Sequence, residues 1–155
     1  DGHQKRNSDI TTTLSNSDQP GHDLFILSNV NNSDWRDPQN NELWQGVNGI
    51  NNPCPSGYRL PTEDEWNAEM NSWDSKNAEG AFASPLKLTT AGWRVNYSAS
   101  EGHGNIRDGT SGKYWASDPK GFDAVDINFF LERDGYTDES SRGDGLSVRC
   151  LKDES

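Results

Sequence analysis

The chain has 155 residues, with 14 Lys and Arg against 25 Asp and Glu, a formal net charge of -11 and a pI of about 4.5. That length is one domain, 1–155, and that charge repels phosphate backbones and anionic headgroups, so neither nucleic acid nor direct membrane insertion is expected. Only 30% of the residues are hydrophobic, so the core has to be small and drawn largely from six Trp, five Phe and four Tyr.

Residues 1–21 are polar and without periodicity, with only Ile10 and Leu14 to bury, and read as an extended or weakly ordered arm. They hold no apolar stretch of the kind an export signal needs. The abundance of Asn, Ser, Asp, Gly and Thr suits a piece of an exported, loop-rich protein. The apolar run 24–27 is the first firm element. Asn-Asn, Asp-Pro and Asn-Gly pairs then mark 28–52 as a long loop, pinned by Trp35 and Trp44.

Residues 60–73 carry the one strong helix pattern. Thr62 and Glu65 make a Thr-x-x-Glu capping box, and Trp66, Met70 and Trp73 fall on one face. Short apolar runs at 86–88, 91–95, 113–117, 124–131 and 146–151 read as strands of a small sheet. In 124–131, Val125, Ile127, Phe129 and Leu131 share a core face, and Ala124, Asp126, Asn128 and Phe130 share the other. The stretches 96–112 and 132–145 read as long acidic, Gly-rich loops on that scaffold.

Cys54 and Cys150 form no metal-binding pattern. Their simplest use is one disulfide closing a loop of about 97 residues, for which chain entropy gives roughly 4 to 5 kcal/mol; two buried free thiols are the alternative.

The stretches GHDLFILSNVNNSDWR (21–36), NNPCPSGYRLPTEDEW (51–66), AGWR (91–94), SGKYWAS (111–117) and GLSVRCLKD (145–153) resemble the FISUMP family. These are extracellular modules of bacterial surface proteins, related in fold to C-type lectin-like domains. The resemblance implies an α+β, C-type lectin-like fold, with small antiparallel sheets, one or two helices and long loops, and with Cys54 bridged to Cys150. The family often opens with a Trp-containing strand, whereas no Trp precedes Trp35 here. The N-terminal part of the family domain is therefore expected to be missing or split off. Residues 132–144 are acidic where family members tend to carry Ser and Asn, and are expected to be particular to this protein's ligand.

The comparable strand and loop of C-type lectin-like folds hold calcium, which takes about six to eight oxygen ligands. The resemblance therefore assigns a calcium ion (Ca2+) to Asp123, Asp126, Asn128, Asp134, Asp138 and Asp144, the alternative being a solvated acidic surface. Asp126 and Asp144 are expected to matter most, since Asp126 is fixed by a strand and Asp144 by flanking glycines, whereas 132–139 reads as a mobile loop. Ligand contact is expected from Trp93, Arg94, Tyr97, Trp115 and Tyr136, since Trp and Tyr give large contact area and Arg grips carboxylates in pairs of bonds. The alternative makes Trp93 and Trp115 core residues and Arg94 and Arg149 structural partners. Of the five, Tyr136 is the one expected to be exposed.

An enzyme is not expected. His3, His22 and His103 are scattered, with neither metal-ligand spacing nor a triad order. Arg142-Gly143-Asp144 spells an integrin tripeptide, but its expected role is the turn before the last strand. The expected function is a calcium-dependent ligand-binding module of an RTX-type bacterial adhesin, extracellular at the cell surface. Its ligand is expected to be a peptide or protein terminus on a host or neighbouring cell. Glycan binding, or a spacer without ligand, is the alternative.

Overall fold

A computed structural model of the protein describes residues 9–98, 102–107 and 109–154. It is mixed α+β. Strand β1 (Ile10–Thr11) pairs in parallel with β2 (Phe25–Ile26), so the arm read over 1–21 is extended and paired at this point, its residues 1–8 lying outside the described residues. The long loop follows as expected. It is anchored by fully buried Leu43, with Trp35 and Trp44 half-buried.

Strand β3 (Tyr58–Arg59) leads into α1 (Glu63–Asn71). The helix starts where the capping box places it: the Glu65 N–H donates to Thr62 Oγ1 at 3.2 Å, and the Thr62 N–H donates to Glu65 Oε2 at 2.8 Å. A second, short helix α2 (Ala78–Ala83) is capped by Asn77, whose side chain accepts from the N–H groups of Glu79 and Gly80. Residues 86–88 form no strand; Leu88 is buried beside α2, and its N–H donates to Ala81 O.

Short strands follow: β4 (Trp93–Arg94), β5 (Tyr97–Ser98), β6 (Gly102–His103) and β7 (Ile106–Arg107), paired as β4 with β7 and β5 with β6. The main sheet is β8 (Ser111–Lys120), β9 (Asp123–Phe130) and β10 (Tyr136–Ser140), antiparallel in the order β10-β9-β8. β11 (Leu151–Lys152) closes the chain against β3, and is all that becomes a named strand of the run 146–151. β10 overlaps the stretch 132–139 read as a mobile loop: its five residues are in register with β9.

The inner face of the main sheet packs on α1. Val125, Ile127 and Phe129 are buried with Tyr114, Ala116, Trp66, Met70 and Trp73 in one cluster. Leu131, expected on this face, falls past the end of β9 and is 52% exposed. The aromatic rings set the spacing: Trp73 meets Phe129 edge-on at 5.7 Å and Tyr114 stacks on Phe129 at 6.0 Å. Gly112 is required opposite Phe129, because a Cβ there would stand 2.1 Å from the ring.

The Cys54–Cys150 disulfide, with Cα atoms 5.8 Å apart, ties the turn before β3 to the residue before β11. Beside it the Arg59 guanidinium donates twice to Glu65, each at 2.8 Å, and once to Asp153 at 3.0 Å. Disulfide, strand pair and ion triad thus clamp the start of α1 to the C-terminal segment.

Candidate functional site

The outer face of the main sheet is where the acidic residues meet. The register puts Lys113 opposite Asn128, Trp115 opposite Asp126, and Tyr136, Asp138 and Ser140 opposite Asn128, Asp126 and Ala124. Directly paired residues share a face, so a polar layer lies on the side away from α1. That face is covered over β8 and β9, while Tyr136 and Asp138 on β10 are exposed. Asp126 has 0% exposure and Asn128 is equally buried.

Lys113 occupies the centre of this layer. Its ammonium stands 4.5 Å from the centre of the Trp93 ring, donates to Ser140 Oγ at 2.9 Å, and lies 3.9 Å from Asp126 Oδ2. The other carboxylate oxygen of Asp126 accepts from Asn128 Nδ2 at 2.8 Å, while Oδ2 takes no hydrogen bond of normal length. Burial pushes the Asp126 carboxyl above its ordinary range, with Asp138 adding to the rise and Lys113 and the Ser140 hydroxyl opposing it.

The other expected metal ligands lie around this centre to different degrees: Asp138 pairs directly with Asp126 and its Oδ2 accepts from Asn128 Nδ2 at 3.5 Å, and Asp144 feels the charges of Lys113, Asp126 and Asp123. Asp144 is half-buried in the turn before the last segment, and its Oδ1 accepts the Asn96 N–H at 2.7 Å. Burial raises its carboxyl to about 6, against the opposing Asn96 bond and Lys113. Asp123 is half-buried at the start of β9 and raised by burial and by Glu139, with Arg142 opposing. Asp134 is exposed in the turn between β9 and β10, and Asp138 is exposed on β10. Among the described residues, no three His, Cys, Asp or Glu side chains are grouped so as to hold a metal ion.

The expected ligand-contact residues divide in the same way. Trp93 is half-buried and caps Lys113. Trp115 is half-buried, its carbonyl accepting from Trp66 Nε1 at 3.1 Å. Arg94 is 4% exposed; its Nε donates to Gly104 O at 2.9 Å and its guanidinium lies 4.2 Å from the Phe25 ring centre, so it serves the fold. Tyr97 is placed by its backbone in β5, and its side chain lies outside the described residues. Tyr136 is exposed, at 43%.

The integrin tripeptide is internal. Arg142 is buried, donating to the carbonyls of Asp123 and Gly121 and lying 3.9 Å from buried Asp34. A Cβ on Gly143 would come within 2.0 Å of the Asn96 amide. The tripeptide is folded into a turn and not presented in an extended loop.

Sequence reasoning missed a second, open feature at the tip of the β9–β10 hairpin. The Arg133 guanidinium stacks 3.7 Å from the Phe130 ring centre, and the Tyr136 ring lies 6.0 Å from Phe130 on a tilted plane. Leu131, Arg133, Asp134 and Tyr136 are all exposed there. The pairing of Phe130 with Arg133, three residues apart across a turn, was the available signal. Comparison with protein-family models, with curated proteins and with solved structures gives no match.

Proposed function

We propose that the chain is a non-enzymatic ligand-binding module of an exported bacterial surface protein, with a C-type lectin-like fold, and that it grips the carboxylate end of a peptide or protein at the β9–β10 tip. The observation that carries this reading is the Arg133–Phe130 stack. Stacking fixes the plane of an exposed guanidinium, so less freedom is lost when its fork closes on a carboxylate. Tyr136 beside it supplies a rigid aromatic face for the residue before that carboxylate.

The disulfide supports an oxidising, extracellular setting. Among the described residues no helix is long and apolar enough to cross a membrane. Glycan binding is the second reading, favoured by the 43% exposed Tyr136 ring, on which a sugar face can stack.

An array of peptides with free and amidated C-termini, printed beside glycans, tests both. Binding to free carboxylate ends that amidation abolishes is the expected result; binding to glycans alone would replace the first reading by the second. Reading the array with calcium and with chelator tests the calcium dependence that the family resemblance implies.

A further inference from the structure

We propose that Lys113 and Asp126 are the two halves of an intramolecular amide crosslink joining β8 to β9. Their side chains share the covered outer face of the sheet, and Lys113 Nζ lies 3.9 Å from Asp126 Oδ2. The atom to be attacked is Cγ, one bond from that oxygen, so a side-chain adjustment must bring Nζ to the distance of about 3 to 3.5 Å from Cγ at which proximity gives most of its benefit.

The surroundings match what the condensation requires. Asp126 has 0% exposure and Lys113 is capped by the Trp93 ring, so bulk water is kept from the pair. Asn128 Nδ2 donates to Oδ1 at 2.8 Å, which fixes the carboxyl plane and stabilises the charge that develops on that oxygen during attack. Oδ2, on the Lys113 side, takes no hydrogen bond of normal length and is the oxygen free to leave. A buried carboxylate oxygen without a donor is costly, and condensation removes it together with both charges.

The step balances without any other reactant. A proton passes from the Lys113 ammonium to Oδ2, leaving an amine and a carboxylic acid. The amine nitrogen attacks Cγ, the N–Cγ bond forms, and the Cγ–Oδ2 bond breaks. Oδ2 departs with its proton and one from nitrogen as a single water. A neutral amide remains across two neighbouring strands, and the sheet can no longer unzip at this position.

The experiment is the intact mass of the reduced and alkylated full chain, followed by fragmentation of its proteolytic peptides. The expected result is a protein lighter by one water, with a branched peptide joining Lys113 to Asp126, and full mass in Lys113→Arg. An unmodified mass in the wild-type chain overturns the proposal. So does water loss that persists in Lys113→Arg, which assigns it to ring closure at one of the Asp-Gly pairs, Asp1-Gly2, Asp108-Gly109, Asp134-Gly135 or Asp144-Gly145. Loss of one ammonia overturns it too, by making Asn128 the acyl partner. Should Lys113→Arg fail to fold, the branch point mapped in the wild-type chain decides alone.

Discussion

Asn96 and Asp144 hold the last loop against the first strands: the Asn96 N–H donates to Asp144 Oδ1 at 2.7 Å, while the Asn96 side chain accepts from the Ser28 N–H and donates to Ile26 O, each at 2.8 Å. Asn96 has 0% exposure. A single buried residue, through its backbone N–H and its side-chain amide, therefore joins β2, the segment after β4 and the turn before the C-terminal segment. Asp144 is carried into this junction as a carboxyl raised by burial to about 6.

The first prediction concerns pH. A carboxyl raised on folding binds more protons in the native state than in the unfolded one between its two pKa values. Its stabilising contribution is present below about 4 and is lost as pH rises through about 6. Asp144→Asn keeps an oxygen for the Asn96 N–H and removes the charge. It should raise stability at pH 7 by about 1 to 3 kcal/mol and leave it unchanged near pH 4, as urea unfolding across that range would read. Equal stability of the two proteins at pH 7 would mean that Asp144 is not desolvated by folding.

Glu65 works in the opposite sense. Arg59 holds its carboxylate down to about 2, with the Thr62 N–H helping, so its contribution is present above about 4.5 and is lost as pH falls toward 2. Glu65→Gln should blunt acid unfolding below pH 4.5 at the expense of stability at neutral pH. Thr62→Ala removes the acceptor for the Glu65 N–H and the weakest of the contacts that hold the Glu65 carboxylate down, and should cost about 1 kcal/mol at neutral pH with only a slight dependence on pH. Denaturant titrations of the two variants at pH 3 and pH 7 separate the charge from the cap.

These examples also mark what the sequence could reveal. α1 was legible because its cap and its apolar spacing agree, and β9 because Val125, Ile127 and Phe129 alternate with Asp126 and Asn128. β10 was not: Tyr-Thr-Asp-Glu-Ser has no apolar period, since the layer it joins is itself polar and its inner face meets Asn67 through Thr137. α2 is six residues long with a glycine inside it, too short for a period to show. Asn96 and Lys113 gave no local signal either. Their roles come from partners far away in the chain, such as Ile26 for Asn96 and Ser140 for Lys113.

The third prediction concerns the clamp at the start of α1. The disulfide spans 96 positions of sequence and sits beside the Arg59–Glu65–Asp153 triad, so reducing it loosens a long loop whose ends stay held by β3, β11 and the ion pairs. Loss of the bond should lower stability by about 2 to 5 kcal/mol. The double variant Cys54→Ser, Cys150→Ser should still fold, because α1 and the main sheet make a core without it. Thermal unfolding with and without reductant, beside the double variant, gives the measurement. A transition insensitive to reductant would show that the loop is constrained without the bond.

The last prediction separates charge from geometry at the hairpin tip. Arg133 lies 3.7 Å from the Phe130 ring centre, and Phe130 is fixed by its position at the end of β9, so the guanidinium is presented as an oriented plane. Arg133→Lys keeps the charge but replaces the fork by a single point of hydrogen bonding that does not stack in the same way. Phe130→Leu keeps the fork and removes the ring that orients it. If the tip grips a terminal carboxylate through two parallel bonds, Arg133→Lys should weaken peptide binding by about 1 to 2 kcal/mol, roughly tenfold. Phe130→Leu should weaken it less, and mainly through the entropy of binding. Calorimetry with a peptide chosen from the array gives both terms. Unchanged affinity in Arg133→Lys and Arg133→Ala alike would remove the Arg133 fork from ligand recognition and leave the exposed Tyr136 face as the place to look for a sugar.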